Sequence, residues 1–110
     1  MIENREQCAS WPDMTGKCCV VCGRYGTNTH HFPPIGTGKR KHWKGALISL
    51  CGSGVTGCHG LWHAKKLELR YNADSGCYEW KGENSHGIVV NQWVVCRNDE
   101  YWNMLRGIYG

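Results

Sequence analysis

Eight cysteines in a chain of 110 residues are the feature that most constrains the fold. Cys19 and Cys22 are separated by two residues, and Cys51 and Cys58 form a second, more widely spaced pair. The first residues carry charges where an export signal needs an apolar run, so we expect a reducing compartment. Cysteine clusters in such a compartment bind metal more often than they form disulfides. The sequence therefore predicts a four-cysteine structural zinc site, with a disulfide framework as the alternative.

A zinc site would compensate for a modest hydrophobic core. The chain has fifteen glycines and a single phenylalanine, and a domain of this size buries a limited share of its surface. Four thiolates around zinc contribute on the order of 10 kcal/mol to folding, as much as the net stability of a typical domain. Cys18 could replace its neighbour Cys19, although the two-residue spacing favours Cys19. Cys8, Cys77 and Cys96 are predicted to be ordinary buried or surface thiols.

The hydrophobic pattern predicts one α+β domain over residues 1–110. The expected elements are strands at 30–32 and 46–50, a helix over 58–71, strands at 77–81 and 87–96, and a helix over 99–107 with Asn98 as its N-cap. The predicted core unit covers about 18–71, and a short C-terminal β/α appendage covers about 72–110. The appendage is rich in aromatic residues, which we expect to form a small core or a dimer surface: Tyr78, Trp80, Trp93, Tyr101, Trp102 and Tyr109.

Four of the six histidines fall into two groups, His30-His31 and His59-xxx-His63. Residues four apart on a helix project from one face, so His59 and His63 can hold one metal ion together with a ligand from the first group. Adjacent residues of an extended segment point to opposite sides. One histidine of the first pair can therefore bind the ion while the other acts as a general base. The alternative is that the histidines of the helix are surface residues without a special role.

The segments CVVCG, HHFPP and ALISLC…GCHGLWH together resemble the HNH endonuclease family, also called ββα-metal or His-Me finger nucleases. The resemblance covers about residues 18–66 and is greatest to short phage-type members with an LCGSGxxGCH segment. It implies a ββα-metal core, in which a two-stranded hairpin and a helix hold one catalytic metal ion beside a four-cysteine zinc. It also implies a phage or prophage protein that acts in the cytoplasm of a bacterial host.

The resemblance implies a role for each histidine. His30 matches the first metal ligand, His31 the general base, His59 the ligand on the helix, and His63 the additional ligand of members with an HxxxH helix. The chain departs from the family at Ala46, where the family has the asparagine that orients the base. A backbone carbonyl or His42 could take over that role, or activity could be reduced. A degenerate, non-catalytic nuclease therefore remains an alternative.

A basic segment lies between the two predicted strands. Its cations could contact phosphates next to the cleavage site, and its tryptophan could stack on a base or sugar: Lys39, Arg40, Lys41, Trp43 and Lys44. Lys65, Lys66 and Arg70 of the predicted helix could extend this surface. The alternative is a solvated loop, because a net charge of +4 permits nucleic-acid binding without demonstrating it.

The sequence thus predicts a metal-dependent DNA endonuclease that hydrolyses or nicks phosphodiester bonds, with double-stranded DNA as its partner and without a membrane span. Mg²⁺, Mn²⁺, Ni²⁺ and Zn²⁺ are all candidate catalytic ions, and an all-imidazole site suits the later transition metals best. A homodimer is compatible with the sequence. The rival hypotheses are a non-catalytic zinc-stabilised DNA-binding module, a zinc module that binds proteins, and a nuclease that acts on RNA.

Overall fold

The computed structural model describes residues 11–32 and 46–107. These residues form a small mixed α/β fold with two helices and two antiparallel sheets. The elements are β1 (Asn28–Phe32), β2 (Ala46–Leu50), α1 (Gly57–His63), β3 (Leu67–Asn72), β4 (Cys77–Glu83), β5 (Val89–Val95) and α2 (Asp99–Leu105). Among the described residues, no helix has the length and apolar character needed to cross a membrane.

The first sheet is the predicted hairpin of β1 and β2, whose register pairs Asn28 with Leu50 and Phe32 with Ala46. Ile48 and Leu50 are fully buried, since the apolar run of β2 packs into the core. The lead-in segment adds a short contact at the other edge of β2, where the Met14 N–H donates to the Leu47 carbonyl (2.7 Å). Both predicted strands are therefore confirmed.

Helix α1 is shorter than predicted, because it ends at His63 rather than near Tyr71. The predicted helical segment instead becomes strand β3, in which Leu67 is buried and Leu69 and Tyr71 also pack against the core. The alternation of these three residues puts them on one face of a strand that pairs with β4. Tertiary pairing thus overrides the helix propensity of the segment.

The second sheet has the order β3-β4-β5 and supplies the other half of the core. Tyr78 and Trp80 of β4 are buried, which confirms them as core residues. A register shift lies between β4 and β5, from Trp80 to Gly82. Trp93 packs beneath two cations rather than in the core, with the Arg70 guanidinium 4.2 Å and the Lys81 ammonium 4.9 Å from its ring centroid.

The C-terminal helix α2 packs against the segment that contains the first cysteine pair. Its predicted N-cap is confirmed, since the Asn98 side chain accepts a hydrogen bond from the Tyr101 N–H (3.2 Å). The Asp99 carboxylate accepts the N–H groups of Lys17 and Cys18 (2.7 and 2.8 Å). Near the end of α2, the Arg106 guanidinium donates to the Cys18 thiol (3.1 Å).

Some predictions concern residues outside the described ranges. These residues are Cys8, the basic segment with Lys39, Arg40, Lys41, His42, Trp43 and Lys44, and Tyr109.

Candidate metal centre and histidine cluster

Two tight turns present the cysteine pairs. In the first, the Gly23 N–H donates to the Cys19 carbonyl (2.9 Å), and Gly23 has a φ of +80°, a left-handed conformation that favours glycine. The second turn begins at Gly52, whose φ is +85°. A Cβ at Gly52 would lie 2.1 Å from the Thr56 carbonyl oxygen, so this turn can close only around glycine. The glycine-rich insert therefore allows the second pair to converge.

The turns bring four thiols together, with their Sγ atoms all within 4.8 Å of one another: Cys19, Cys22, Cys51 and Cys58. The Cys22 and Cys51 sulfurs lie 3.5 Å apart. A tetrahedral zinc ion with Zn–S bonds of about 2.3 Å separates its sulfur ligands by about 3.8 Å, so the cluster has the dimensions of a structural zinc site. Among the described cysteines, Cys18, Cys77 and Cys96 lie outside the cluster.

The thiols of the cluster strongly perturb one another. Contacts with Cys19 and then Cys22 hold the pKa of Cys51 far below the usual value of a thiol. Contacts with the same two residues raise the pKa of Cys58. Thiols in such contact compete for protons, and a divalent cation resolves the competition by holding every sulfur as a thiolate. This donor set therefore fits a zinc ion.

Ser85 contacts the cluster from the turn between β4 and β5, and the cysteine spacing gave no indication of it. Its Oγ donates to the Cys22 sulfur (3.1 Å) and its N–H donates to the Cys58 sulfur (3.4 Å). The same Oγ lies 3.3 Å from the Cys51 sulfur. The buried side chain of Asn84 shapes this turn, because its Oδ1 accepts the His86 N–H (2.9 Å). The only sequence signal for this contact is the turn-forming segment Asn-Ser-His-Gly between two strands.

We expect Ser85→Ala to lower zinc affinity about 10- to 100-fold, because partners that donate to metal ligands have effects of this size. The hydroxyl provides a hydrogen bond that favours the thiolate form of Cys22, and alanine cannot replace it. The affinity is measured by competition with a chromophoric chelator. Ser75→Ala serves as the matched control, since Ser75 is exposed and its Oγ contacts only the Asn72 carbonyl among the hydrogen bonds of the described residues. Unchanged zinc affinity in Ser85→Ala would contradict this role.

A second cluster forms where β1 faces α1. The His30 and His59 rings stack with their centroids 3.6 Å apart. The Nε2 atoms of His59 and His63 lie 2.8 Å apart, as expected for helix residues four positions apart on one face. The structure thus brings together three of the four histidines that the sequence selected.

The ring nitrogens of this cluster are suited to a cation. His30 Nε2 and His59 Nδ1 are buried and have no hydrogen-bond partner within the described part of the chain. Nitrogen ligands at about 2.0–2.1 Å from a tetrahedral ion lie about 3.3 Å from each other, close to the spacing of the His59 and His63 nitrogens. An ion bound by the Nε2 atoms of His59 and His63 could also give the His30 Nε2 a partner, whereas the His59 Nδ1 would then carry the proton of that ring.

Burial keeps two of these rings neutral at physiological pH. It lowers the pKa of His30, and the nearby His63 lowers it further. The pKa of His59 falls to about 4, mainly through burial and through its proximity to His30 and His63. Neutral imidazole is the form that binds metal ions, so the surroundings favour the ligand state of these side chains.

The fourth histidine, His31, lies in β1 opposite Leu47 in the strand register. Ala46 is buried at the start of β2, opposite Phe32 in the strand register. HNH endonucleases, which the sequence resembles, have asparagine at this position. Beside the histidines, Trp62, His63 and Lys65 line a cavity of about 500 Å³ between α1 and β3.

Comparisons of the chain with family models, with curated proteins and with solved structures found no match. The geometry and chemistry of the two clusters are therefore the basis for inferring a function.

Proposed function

We propose that this protein is an HNH-type, metal-dependent endonuclease that hydrolyses DNA phosphodiester bonds. The observation that carries the proposal is the convergence of His30, from a hairpin strand, with His59 and His63, from the helix that follows the hairpin. A hairpin, a short helix and a neighbouring four-cysteine cluster are the parts that the sequence resemblance implies. We also propose that it is a phage or prophage protein that acts in the cytoplasm of a bacterial host.

In this mechanism, His30, His59 and His63 would hold one divalent ion. The ion supplies stabilisation of negative charge on the phosphate and on the leaving oxygen. His31 accepts a proton from the water that attacks phosphorus. With one such centre per chain, a monomer nicks one strand, and a double-strand cut requires two chains.

One observation favours a second candidate, a non-catalytic DNA-binding module stabilised by zinc. Ala46 is 1% exposed and has no polar side-chain atom with which to orient a base. In an active enzyme, another group would have to orient His31, and a backbone carbonyl and His42 are the candidates that the sequence offers. In the module, the histidine cluster would stabilise the fold without cleaving DNA.

A supercoiled-plasmid assay with Mg²⁺, Mn²⁺, Ni²⁺ and Zn²⁺ tests the proposed activity. We expect cleavage with Mn²⁺ or Ni²⁺ at least equal to that with Mg²⁺, because imidazole ligands suit the later transition metals. His31→Ala is expected to reduce cleavage at least about 10²-fold, the typical contribution of a general base. Zinc content and DNA affinity should remain those of the wild type.

His86→Ala provides the matched control, because His86 is exposed and lies in the β4–β5 turn outside the histidine cluster. Loss of the fold in His31→Ala would make His31 a structural residue and contradict its assignment as the base. DNA binding without cleavage under every ion would favour the non-catalytic module. Cleavage of RNA but not of DNA would show that the substrate is RNA.

A further inference from the structure

Lys65 has a backbone conformation that L-amino acids rarely adopt. Its φ is +64°, and it is the only residue other than glycine with a positive φ in the ranges 11–32 and 46–107. A side chain in this conformation is strained by the contact between its Cβ and the backbone. Lysine has no short side-chain oxygen that could offset this strain locally.

The strain arises where α1 ends. The N–H of Lys65 donates to the Trp62 carbonyl (3.1 Å) and the N–H of Lys66 donates to the Leu61 carbonyl (2.9 Å). These two bonds define a Schellman motif, in which the left-handed position after the C-cap is usually glycine. Glycine would therefore satisfy the backbone at least as well as lysine does. Strained residues cluster at functional sites, which directs attention to the side chain of Lys65.

That side chain lines the cavity of about 500 Å³ between α1 and β3, together with His63 of the histidine cluster. Glu68 lines the same cavity, but its carboxylate lies 3.8 Å from the Lys81 ammonium, which partly neutralises it. Lys65 forms no ion pair with any residue that the structure describes. Lys65 is exposed and shares the cavity lining with His63, so its side chain is accessible to an anion.

We propose that Lys65 binds a backbone phosphate of the DNA next to the scissile bond, in the cleft between α1 and β3. This inference rests on the nuclease function proposed above. The Lys65 ammonium places a positive charge on the turn that adjoins His63, and the left-handed backbone of Lys65 fixes this turn at the end of the helix that carries His59 and His63.

Lys65→Gly separates this role from a structural one. The substitution removes the strain, so we expect an unchanged or higher melting temperature. Loss of the phosphate contact should weaken binding to a labelled DNA duplex about tenfold. The plot of log association constant against log salt concentration should become less steep, with a slope smaller in magnitude by about 1. Binding is measured by fluorescence anisotropy, and plasmid nicking should fall by a similar factor. Lys65→Arg should retain most of the DNA affinity.

Lys66→Ala is the matched control. The sequence grouped Lys66 with Lys65 on one basic surface, but the structure separates the two residues. Lys66 is exposed and lines a different cavity, with Arg24 and Glu83, on another side of α1, and it is therefore not part of the proposed phosphate site. We expect this variant to retain most of the affinity and the salt slope. Wild-type affinity and salt slope in Lys65→Gly would overturn the role of Lys65 while leaving the nuclease proposal in place. A wild-type protein that neither binds nor cuts DNA would overturn both.

Discussion

Cys19→Ser is expected to abolish zinc binding and to leave the protein largely unfolded in water. The cluster occupies the centre of the fold, and Cys19 itself is fully buried. A four-thiolate site contributes on the order of 10 kcal/mol, which equals or exceeds the net stability of most domains of this size. Serine is nearly the same size but offers zinc a much poorer ligand. Zinc content by elemental analysis and secondary structure by circular dichroism measure the two effects.

Cys18→Ser is the matched control for this experiment. The two cysteines are neighbours with nearly identical burial, at 1% and 0% exposure, and the substitution is the same. Cys18, however, contacts Arg106 of the turn after α2 and lies outside the metal cluster. Its variant should keep one zinc ion and most of its stability. If the Cys18→Ser variant lost its zinc while the Cys19→Ser variant retained it, Cys18 rather than Cys19 would be the zinc ligand.

His59→Ala should reduce DNA cleavage by about 10³-fold or more, which is the largest effect that we expect on activity. His59 is the central ring of the histidine cluster, because it stacks on His30 and also contacts His63. Without His59, the other two imidazoles lose their common neighbour and should no longer hold the ion. The ion would contribute several kcal/mol to stabilisation of the transition state. Titration calorimetry with Mn²⁺ or Ni²⁺ should show loss of one binding site, while the zinc of the cysteine cluster remains.

The neighbouring residue Cys58 makes a folding control necessary here. Circular dichroism and zinc content should match those of the wild type, since the His59 side chain is not one of the four sulfur donors. His86→Ala should preserve both cleavage and the calorimetric site. A His59→Ala variant that still binds the second ion with wild-type affinity would contradict the assignment of His59 as a ligand.

The sequence predicted well those features that depend on local patterns. The apolar run of β2, the extended segment at His30, the Asn98 cap and the spacing of the cysteine pairs are short-range signals, and the structure contains the features that they indicate. The roles of His31 and of the basic segment remain predictions, since the structure does not describe those side chains.

The features that the sequence did not predict depend on contacts between distant segments. Residues 66–71 are good helix formers, but pairing with β4 and burial of Leu67 make them a strand. The left-handed conformation of Lys65 ends α1 without the glycine that normally marks such a point. The contact of Ser85 with the cysteines requires the second sheet to fold against the first, and no spacing rule describes it.

Helix α2 has seven residues, and a helix of that length does not persist in water by itself. It is held by Asp99, by Trp102 packed over Gly23, and by Arg106, all of which contact the segment that carries Cys19 and Cys22. If zinc holds that segment in place, loss of the ion also removes the attachment of the tail. A protease that cuts only unfolded chain should therefore cut the metal-free protein near its carboxyl end as well as around the cysteines, although the two regions are far apart in the sequence.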